Sequence, residues 1–110
     1  MPTVLIDCRK IHNGPTFHAV FAEAFGFPAF YGKNMDAWID CMTSIDHPEH
    51  GMTSVHTSPP QVMVIQLDHA DRLPKHFWDA IHDASAFVNY RRMEMGEPPV
   101  LAISAFRSKD

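Results

Sequence analysis

Between residues 27 and 42 the chain reads Phe27-Pro28-Ala29-Phe30-Tyr31-Gly32-Lys33-Asn34-Met35-Asp36-Ala37-Trp38-Ile39-Asp40-Cys41-Met42. The pattern indicates an aromatic loop, a glycine turn and then a helix over residues 34–44. Asn34 is the expected N-cap, because an asparagine side chain can accept hydrogen bonds from the free N–H groups of the first turn. The stretch therefore predicts a short helix whose start is set by the residues directly before it.

The predicted helix has two different faces. At about 100° per residue, its polar face carries Asp36, Ile39, Asp40 and Thr43. Its opposite face is apolar and is expected to be buried; it consists of Ala37, Trp38, Cys41 and Met42. Two carboxylates one turn apart repel each other weakly, and a solvated helix face is the simplest explanation of such a pair. The alternative is an anionic surface that meets a cationic partner.

The same stretch carries defined residue types at fixed spacing. An aromatic pair and a glycine precede the asparagine, and two aspartates follow it; the matching residues are Pro28, Phe30, Tyr31, Gly32, Asn34, Asp36, Ala37, Asp40 and Cys41. In this pattern the chain resembles the barstar family, the small intracellular inhibitors of secreted bacterial ribonucleases. The resemblance favours the anionic binding surface over the solvated helix face.

The resemblance also implies a mode of action. In members of the family the helix and the preceding loop plug the ribonuclease active site, with carboxylates where substrate phosphates would lie. They meet the arginine, lysine and histidine residues that the nuclease uses on RNA, and ionised carboxylates accept strong, bidentate hydrogen bonds from arginine. The residues so implied in partner binding are, in order, Asp40, Asp36 and Phe30, followed by Tyr31, Ile39, Asn34, Gly32 and Thr43. No catalytic residue and no cofactor is implied.

Some positions depart from the family's prototype. Ile39 stands where the prototype has a tryptophan, and Lys33 replaces an acidic residue. Arg91 lies about where the prototype supplies a further glutamate, with Glu94 one turn on. Segment 45–60 is longer than its counterpart. These differences bear on which partner is bound, and much less on the fold.

The rest of the chain predicts alternating strands and helices. Apolar runs at 3–7, 61–67 and 100–104 are interpreted as buried strands. Helices are predicted at 13–26, 34–44 and 74–95, with Asp71 as the N-cap of the last and a long polar loop at 45–60. Strands joined through helices form parallel sheets with right-handed crossovers. The predicted fold is a single two-layer α/β domain over residues 1–110, with a three-stranded parallel sheet, about three helices and the order β-α-α-β-α-β.

The charge distribution argues against nucleic acid as the partner. The formal net charge is −4 with neutral histidines, whereas phosphate binding needs a basic patch. From residue 36 to residue 49 the chain has acids but no lysine or arginine: Asp36, Asp40, Asp46 and Glu49. A basic protein would be steered toward such a face. We therefore expect a basic protein, a ribonuclease, as the partner, and since nothing in the sequence indicates an oligomer we expect a monomer.

The composition predicts a cytoplasmic protein. No apolar run is long enough to span a bilayer, and residues 1–7 are too few and too acidic for a secretory signal. The two cysteines, Cys8 and Cys41, need not pair, and Cys41 falls on the apolar helix face, where a thiol behaves as a small hydrophobe. We expect both to stay reduced and the chain to make no membrane contact.

The many histidines raise the question of a metal site. His47, His50 and His56 lie in segment 45–60 and are weak candidates for metal ligands. Their spacing matches no strong zinc pattern, and loop histidines are usually solvated, so no metal site is predicted. The same histidines would become charged below about pH 6.5, which would weaken the acidic field of the helix.

Two other functions stand as alternatives. Asp36 and Asp40 could form the acid–base pair of an enzyme, but the sequence has no nucleophile motif, no phosphate-binding glycine loop and no second carboxylate group expected across a cleft. An enzyme is therefore not expected. The main competitor is a protein-interaction module of the same fold whose partner is not a ribonuclease, bound through segment 45–60.

Overall fold

The computed structural model describes residues 1–108, and its elements follow the predicted order. The strands are β1 (Thr3–Asp7), β2 (Met63–Asp68) and β3 (Leu101–Ala105). The helices are α1 (Gly14–Phe25), α2 (Met35–Thr43) and α3 (Lys75–Glu94). Single turns of 3-10 helix lie at Cys8–Lys10, Pro48–His50 and Ala70–Arg72. The predicted β-α-α-β-α-β order is confirmed, with small shifts at the boundaries.

The three strands form one parallel sheet in the order β1-β2-β3. Ile65 in the central strand is aligned with Val4 on one side and with Ile103 on the other. Along β2, buried side chains alternate with half-buried ones. Both crossovers run in the same direction along the sheet, so right-handed connections bring all three helices to one face. The sheet is therefore covered on one side only.

β1 is an edge strand rather than the fully buried strand that its apolar run predicted. Ile6 is buried, whereas Leu5 is 53% exposed. Leu5 is aligned with Gln66 and lies on the sheet face that the helices leave open. An apolar run in a parallel strand indicates burial on both faces only where helices cover both faces. The prediction failed here because the second face of this sheet has no such cover.

The core fills the space between the sheet and the helices. α1 contributes Phe17, Phe21 and Phe25, which follow one another by one turn and are fully buried. α2 contributes Trp38 and Met42, and the Trp38 ring meets Phe21 edge-on at 5.7 Å between centroids. The predicted burial of the apolar face of α2 is therefore confirmed.

The two cysteines are free and buried, in agreement with the expectation that they need not pair. Burial raises the pKa of Cys8 and of Cys41 to about 11, so both thiols are protonated near neutral pH. Within residues 1–108, no helix combines the length and the apolar character that crossing a membrane requires.

The start of α3 differs from the prediction. Asp71, the predicted N-cap, lies in a 3-10 turn, and its carboxylate accepts hydrogen bonds from the N–H and the hydroxyl of Ser108. Pro74 occupies the N-cap position instead, with an extended ψ of 141°. The helix does not begin earlier because a residue that precedes proline is kept out of the helical region, and Leu73 has a ψ of 126°.

The long loop 45–60 is fastened to the domain along its length. Thr53 and Thr57 are buried. The N–H of Ser54 donates to the carbonyl of Phe25 at 2.8 Å, which joins the middle of the loop to the end of α1. The middle of the loop is thus packed against the domain at Thr53, Ser54 and Thr57.

Candidate functional site

Asn34 begins α2 as predicted. Its side-chain oxygen accepts the N–H of Ala37 at 2.8 Å, and its side-chain nitrogen donates to the carbonyl of Gly32 at 3.4 Å. Lys33, between them, adopts a left-handed conformation with φ of +56°. Asp36 lies in the first turn, where the partial positive charge of the helix N-terminus stabilises an anion. The turn and the helix therefore form one hydrogen-bonded unit.

The loop before α2 puts its two adjacent aromatic rings in opposite environments. Tyr31 is buried; its ring centroid lies 4.6 Å from that of Phe27, and its hydroxyl lies 2.6 Å from Nδ1 of His18. Burial raises the pKa of Tyr31 and lowers the pKa of His18, so both groups are neutral near pH 7. Phe30, in contrast, is 75% exposed. Tyr31 anchors the loop, and Phe30 is the ring presented to solvent.

Asp36 and Asp40 project from the exposed side of α2, one turn apart. The Cβ atoms of residues at this spacing are separated by about 5–6 Å, so a single cationic group from outside can approach both carboxylates. Phe30, Asp36 and Asp40 together are called the acidic surface below.

Ile39 lies between the two aspartates on the polar face of α2. Its position there suggested an exposed side chain, but this is not what the structure shows. It is half-buried and packs against the hydrophobic core. A shallow groove of 310 Å³ runs here between α2 and α3, lined by Met35, Ile39, Ala80, Asp83, Ala84 and Phe87. Ile39 therefore connects the acidic surface to the contact between the two helices.

Asp40 already has a cationic neighbour within the chain. Nη1 of Arg91 in α3 lies 3.2 Å from Oδ1 of Asp40, and the two side chains are 39% and 59% exposed. An ion pair this exposed contributes about 0–1 kcal/mol to stability. The sequence does not predict the contact, because 51 positions separate the two residues. In the free protein, the negative charge of Asp40 is thus partly compensated.

Arg92 is buried where α2 ends. Its side chain is 1% exposed, and its guanidinium forms two parallel hydrogen bonds with the carboxylate of Asp46, both of 2.8 Å. It also donates from Nη1 to the carbonyl of Thr43 at 3.0 Å and from Nε to the carbonyl of Pro98 at 2.9 Å. These bonds tie the end of α2 and the beginning of the long loop to α3. Arg92 is not among the sequence-predicted site residues, because arginine is rarely buried and nothing in the local pattern singles it out.

The predicted binding residues fall into two groups by their place in the structure. Those that solvent reaches on the outer side of the loop and helix are Phe30, Gly32, Asp36 and Asp40, with Ile39 half-buried beside them. Those whose side chains hold the site in shape are Tyr31, which is buried, Asn34, which caps α2, and Thr43, whose hydroxyl donates to the carbonyl of Ile39 at 2.6 Å.

The three candidate histidines of the long loop do not form one cluster. Nδ1 of His56 lies 3.3 Å from the hydroxyl of Thr53, away from the other two. The rings of His47 and His50 stack with centroids 4.6 Å apart, and the carboxylate of Glu49 lies beside them.

Comparison with known proteins relates the chain to a protein family and to a curated relative. The model of a family described as Barstar (barnase inhibitor) matches residues 1–92. A protein of Bacillus subtilis (strain 168) named "Putative ribonuclease inhibitor YrdF" is 37% identical over 49 residues, which make up 44% of this chain and 54% of that protein. The chain spans about half the length of this curated relative.

Proposed function

The chain belongs to the barstar family, and we propose that it inhibits a basic ribonuclease by inserting the acidic surface into the active site of the enzyme. The name of the Bacillus subtilis relative refers to ribonuclease inhibition and supports the same proposal. The proposed inhibitor is a cytoplasmic monomer that binds one ribonuclease and catalyses no reaction itself.

The acidic surface is the observation that carries the proposal. An active site that cleaves RNA must hold cationic side chains for the phosphates, and exposed carboxylates can take the same positions. Asp36 and Asp40 lie on one helix face, and Phe30 adds a large exposed ring beside them. Because Asn34 and Tyr31 hold the loop and the helix in place before binding, little conformational entropy is lost when the partner arrives.

The direct test combines binding with inhibition. We would titrate this protein by calorimetry against a panel of small basic bacterial ribonucleases and follow RNA cleavage in parallel. The proposal requires tight one-to-one binding that abolishes cleavage by at least one ribonuclease of the panel. It also requires that the association rate fall by at least about tenfold between 0.05 and 0.5 M salt, because oppositely charged surfaces steer the encounter.

Other outcomes would contradict the proposal. If no member of the panel binds, ribonuclease inhibition through the acidic surface loses its basis. If binding is tight but insensitive to salt and leaves cleavage intact, the chain is an interaction module that uses another surface, such as the loop 45–60.

The Arg91–Asp40 ion pair leads to a separate prediction about association. A cationic partner group that binds Asp40 must displace Arg91 or share the carboxylate with it. We therefore expect Arg91→Ala to raise the association rate by a few-fold at low salt, as measured by stopped-flow fluorescence. Arg72→Ala is the matched control, since it makes the same change in net charge at an exposed site on the turn before α3. Equal rates for the two variants, or slower association of Arg91→Ala, would contradict the role assigned to Arg91.

A further inference from the structure

The 3-10 turn at Pro48–His50 brings together three side chains of the types that bind transition metals. His47, Glu49 and His50 each offer one ligand atom, and these atoms all lie within 4.8 Å of one another. Two imidazoles and one carboxylate form a donor set typical of zinc sites with an open position for water. We propose that these three residues bind a divalent transition-metal ion, with Zn²⁺ as the best fit.

One pair within the group already has the spacing that a zinc ion requires. Nδ1 of His47 lies 3.2 Å from Oε2 of Glu49. Bonds of 2.0–2.1 Å to a tetrahedral ion place two ligand atoms about 3.3 Å apart, so this pair already has the spacing of two ligands. The His50 ring stacks on the His47 ring at 4.6 Å with an angle of 18° between the planes, and its ligand atom lies within 4.8 Å of those of His47 and Glu49.

A hydrogen bond outside the group favours the tautomer of His50 that metal binding needs. Nδ1 of His50 lies 3.0 Å from the hydroxyl of Ser44, and a proton there leaves Nε2 with a free lone pair. Second-shell contacts of this kind orient ligands in many metal sites.

The position of His47 is supported by two further carboxylates. Its Nε2 lies 3.6 Å from Oδ1 of Asp46 and 3.8 Å from Oε2 of Glu97. Asp46 is itself held by the buried Arg92 at 2.8 Å. The His47 end of the turn is therefore held close to the buried ion pair of Arg92 and Asp46.

The type of ion follows from the donors. Imidazole nitrogen favours zinc, copper and nickel, whereas calcium and magnesium prefer all-oxygen sites. Cys8 and Cys41 do not compete for the ion, because both thiols are buried and protonated near pH 7. The simpler explanation of the cluster is an ordinary ion pair between His47 and Glu49, which predicts no metal affinity.

Titration of Zn²⁺ into the untagged chain distinguishes these explanations, and it needs no ribonuclease. At pH 7.5 we expect calorimetry to give one saturable equivalent of zinc. Glu49→Gln and His50→Gln should each weaken binding by at least about tenfold. His56→Gln, in the same loop, and His12→Gln, at an exposed site before α1, are the controls and should leave the affinity unchanged.

Three results would overturn the inference: no saturable binding, binding that survives both Glu49→Gln and His50→Gln, or binding that His12→Gln weakens equally. Thermal unfolding of each variant without zinc would verify that the fold is retained. Because the readout is metal binding alone, a negative result here does not bear on the proposed ribonuclease inhibition. Equally, a failure to inhibit any ribonuclease would not bear on the zinc site.

Discussion

Asp46→Ala is expected to lower the free energy of unfolding by about 3–5 kcal/mol, the cost of leaving a buried charge without its partner. The guanidinium of Arg92 is 1% exposed, and both of its Nη atoms bond to the Asp46 carboxylate at 2.8 Å. Without Asp46, the cation keeps its hydrogen bonds to the carbonyls of Thr43 and Pro98, and its remaining carboxylate neighbour is Glu97, at 3.9 Å and 36% exposed. Since domains of this size are stable by about 5–15 kcal/mol, the loss would be a large part of the total.

Urea unfolding followed by the fluorescence of Trp38 and Trp78 would measure this loss. Arg91→Ala is the control for an exposed ion pair. Arg91 is next to Arg92 in α3, but its ion pair with Asp40 is exposed, so the expected cost is about 0–1 kcal/mol. Replacing both partners, as in Asp46→Ala with Arg92→Met, should restore part of the stability, because no buried charge is then left over. A cost for Asp46→Ala no larger than that for Arg91→Ala would contradict the structural role of the buried pair.

The second large effect is expected at Asp40. If the acidic surface enters a ribonuclease active site, Asp40→Ala should weaken binding by about 2–5 kcal/mol, or about thirtyfold or more in Kd. The reason is that the partner's cation stays buried in the complex without the carboxylate that compensates it. Inhibition of RNA cleavage should weaken in parallel. Asp36→Ala should have a smaller effect, in keeping with the order of the binding residues that the family resemblance implies.

Asp79→Ala supplies the control for this prediction. Asp79 is an exposed aspartate on α3 that pairs with Lys75 at 3.0 Å, so the substitution makes the same charge change outside the acidic surface. Its effect on Kd should be small. If Asp40→Ala and Asp79→Ala weaken binding equally, general attraction rather than a defined contact explains the affinity. The free energy of unfolding of both variants should stay close to that of the parent.

The elements could be predicted from local residues that begin and end helices. Asn13 caps α1 by accepting the N–H of Thr16 at 2.9 Å, and Gly26 ends the same helix with a left-handed φ of +66°. Asn34 caps α2 in the same way, as its residue type predicts. Each of these features depends on a few adjacent residues, and such features can be recognised in a sequence without knowing the tertiary structure. The exposure of Leu5 could not be recognised in this way, because it depends on how many layers cover the sheet.

The acidic surface was predictable in outline, but its environment was not. Helical spacing correctly put Asp36 and Asp40 on the exposed face of α2. Tyr31 is buried and its neighbour Phe30 is exposed; Arg92 is buried and its neighbour Arg91 is partly exposed. These differences depend on contacts with elements far away in sequence. The Arg92–Asp46 pair joins residues 46 positions apart. Contacts of this kind leave no periodic pattern in the chain.

The burial of Cys41 makes its thiol a chemical probe of the local opening of α2. Cys41 follows Asp40 directly but lies on the inner side of α2 and is only 2% exposed. A thiol reagent can modify it only during moments when α2 separates from the core, so the labelling rate in the native protein reports the free energy of that local opening. Cys8, fully buried after β1, serves as an internal reference in the same chain. A partner held on the outer side of α2 would slow the labelling of Cys41 without contacting the sulfur.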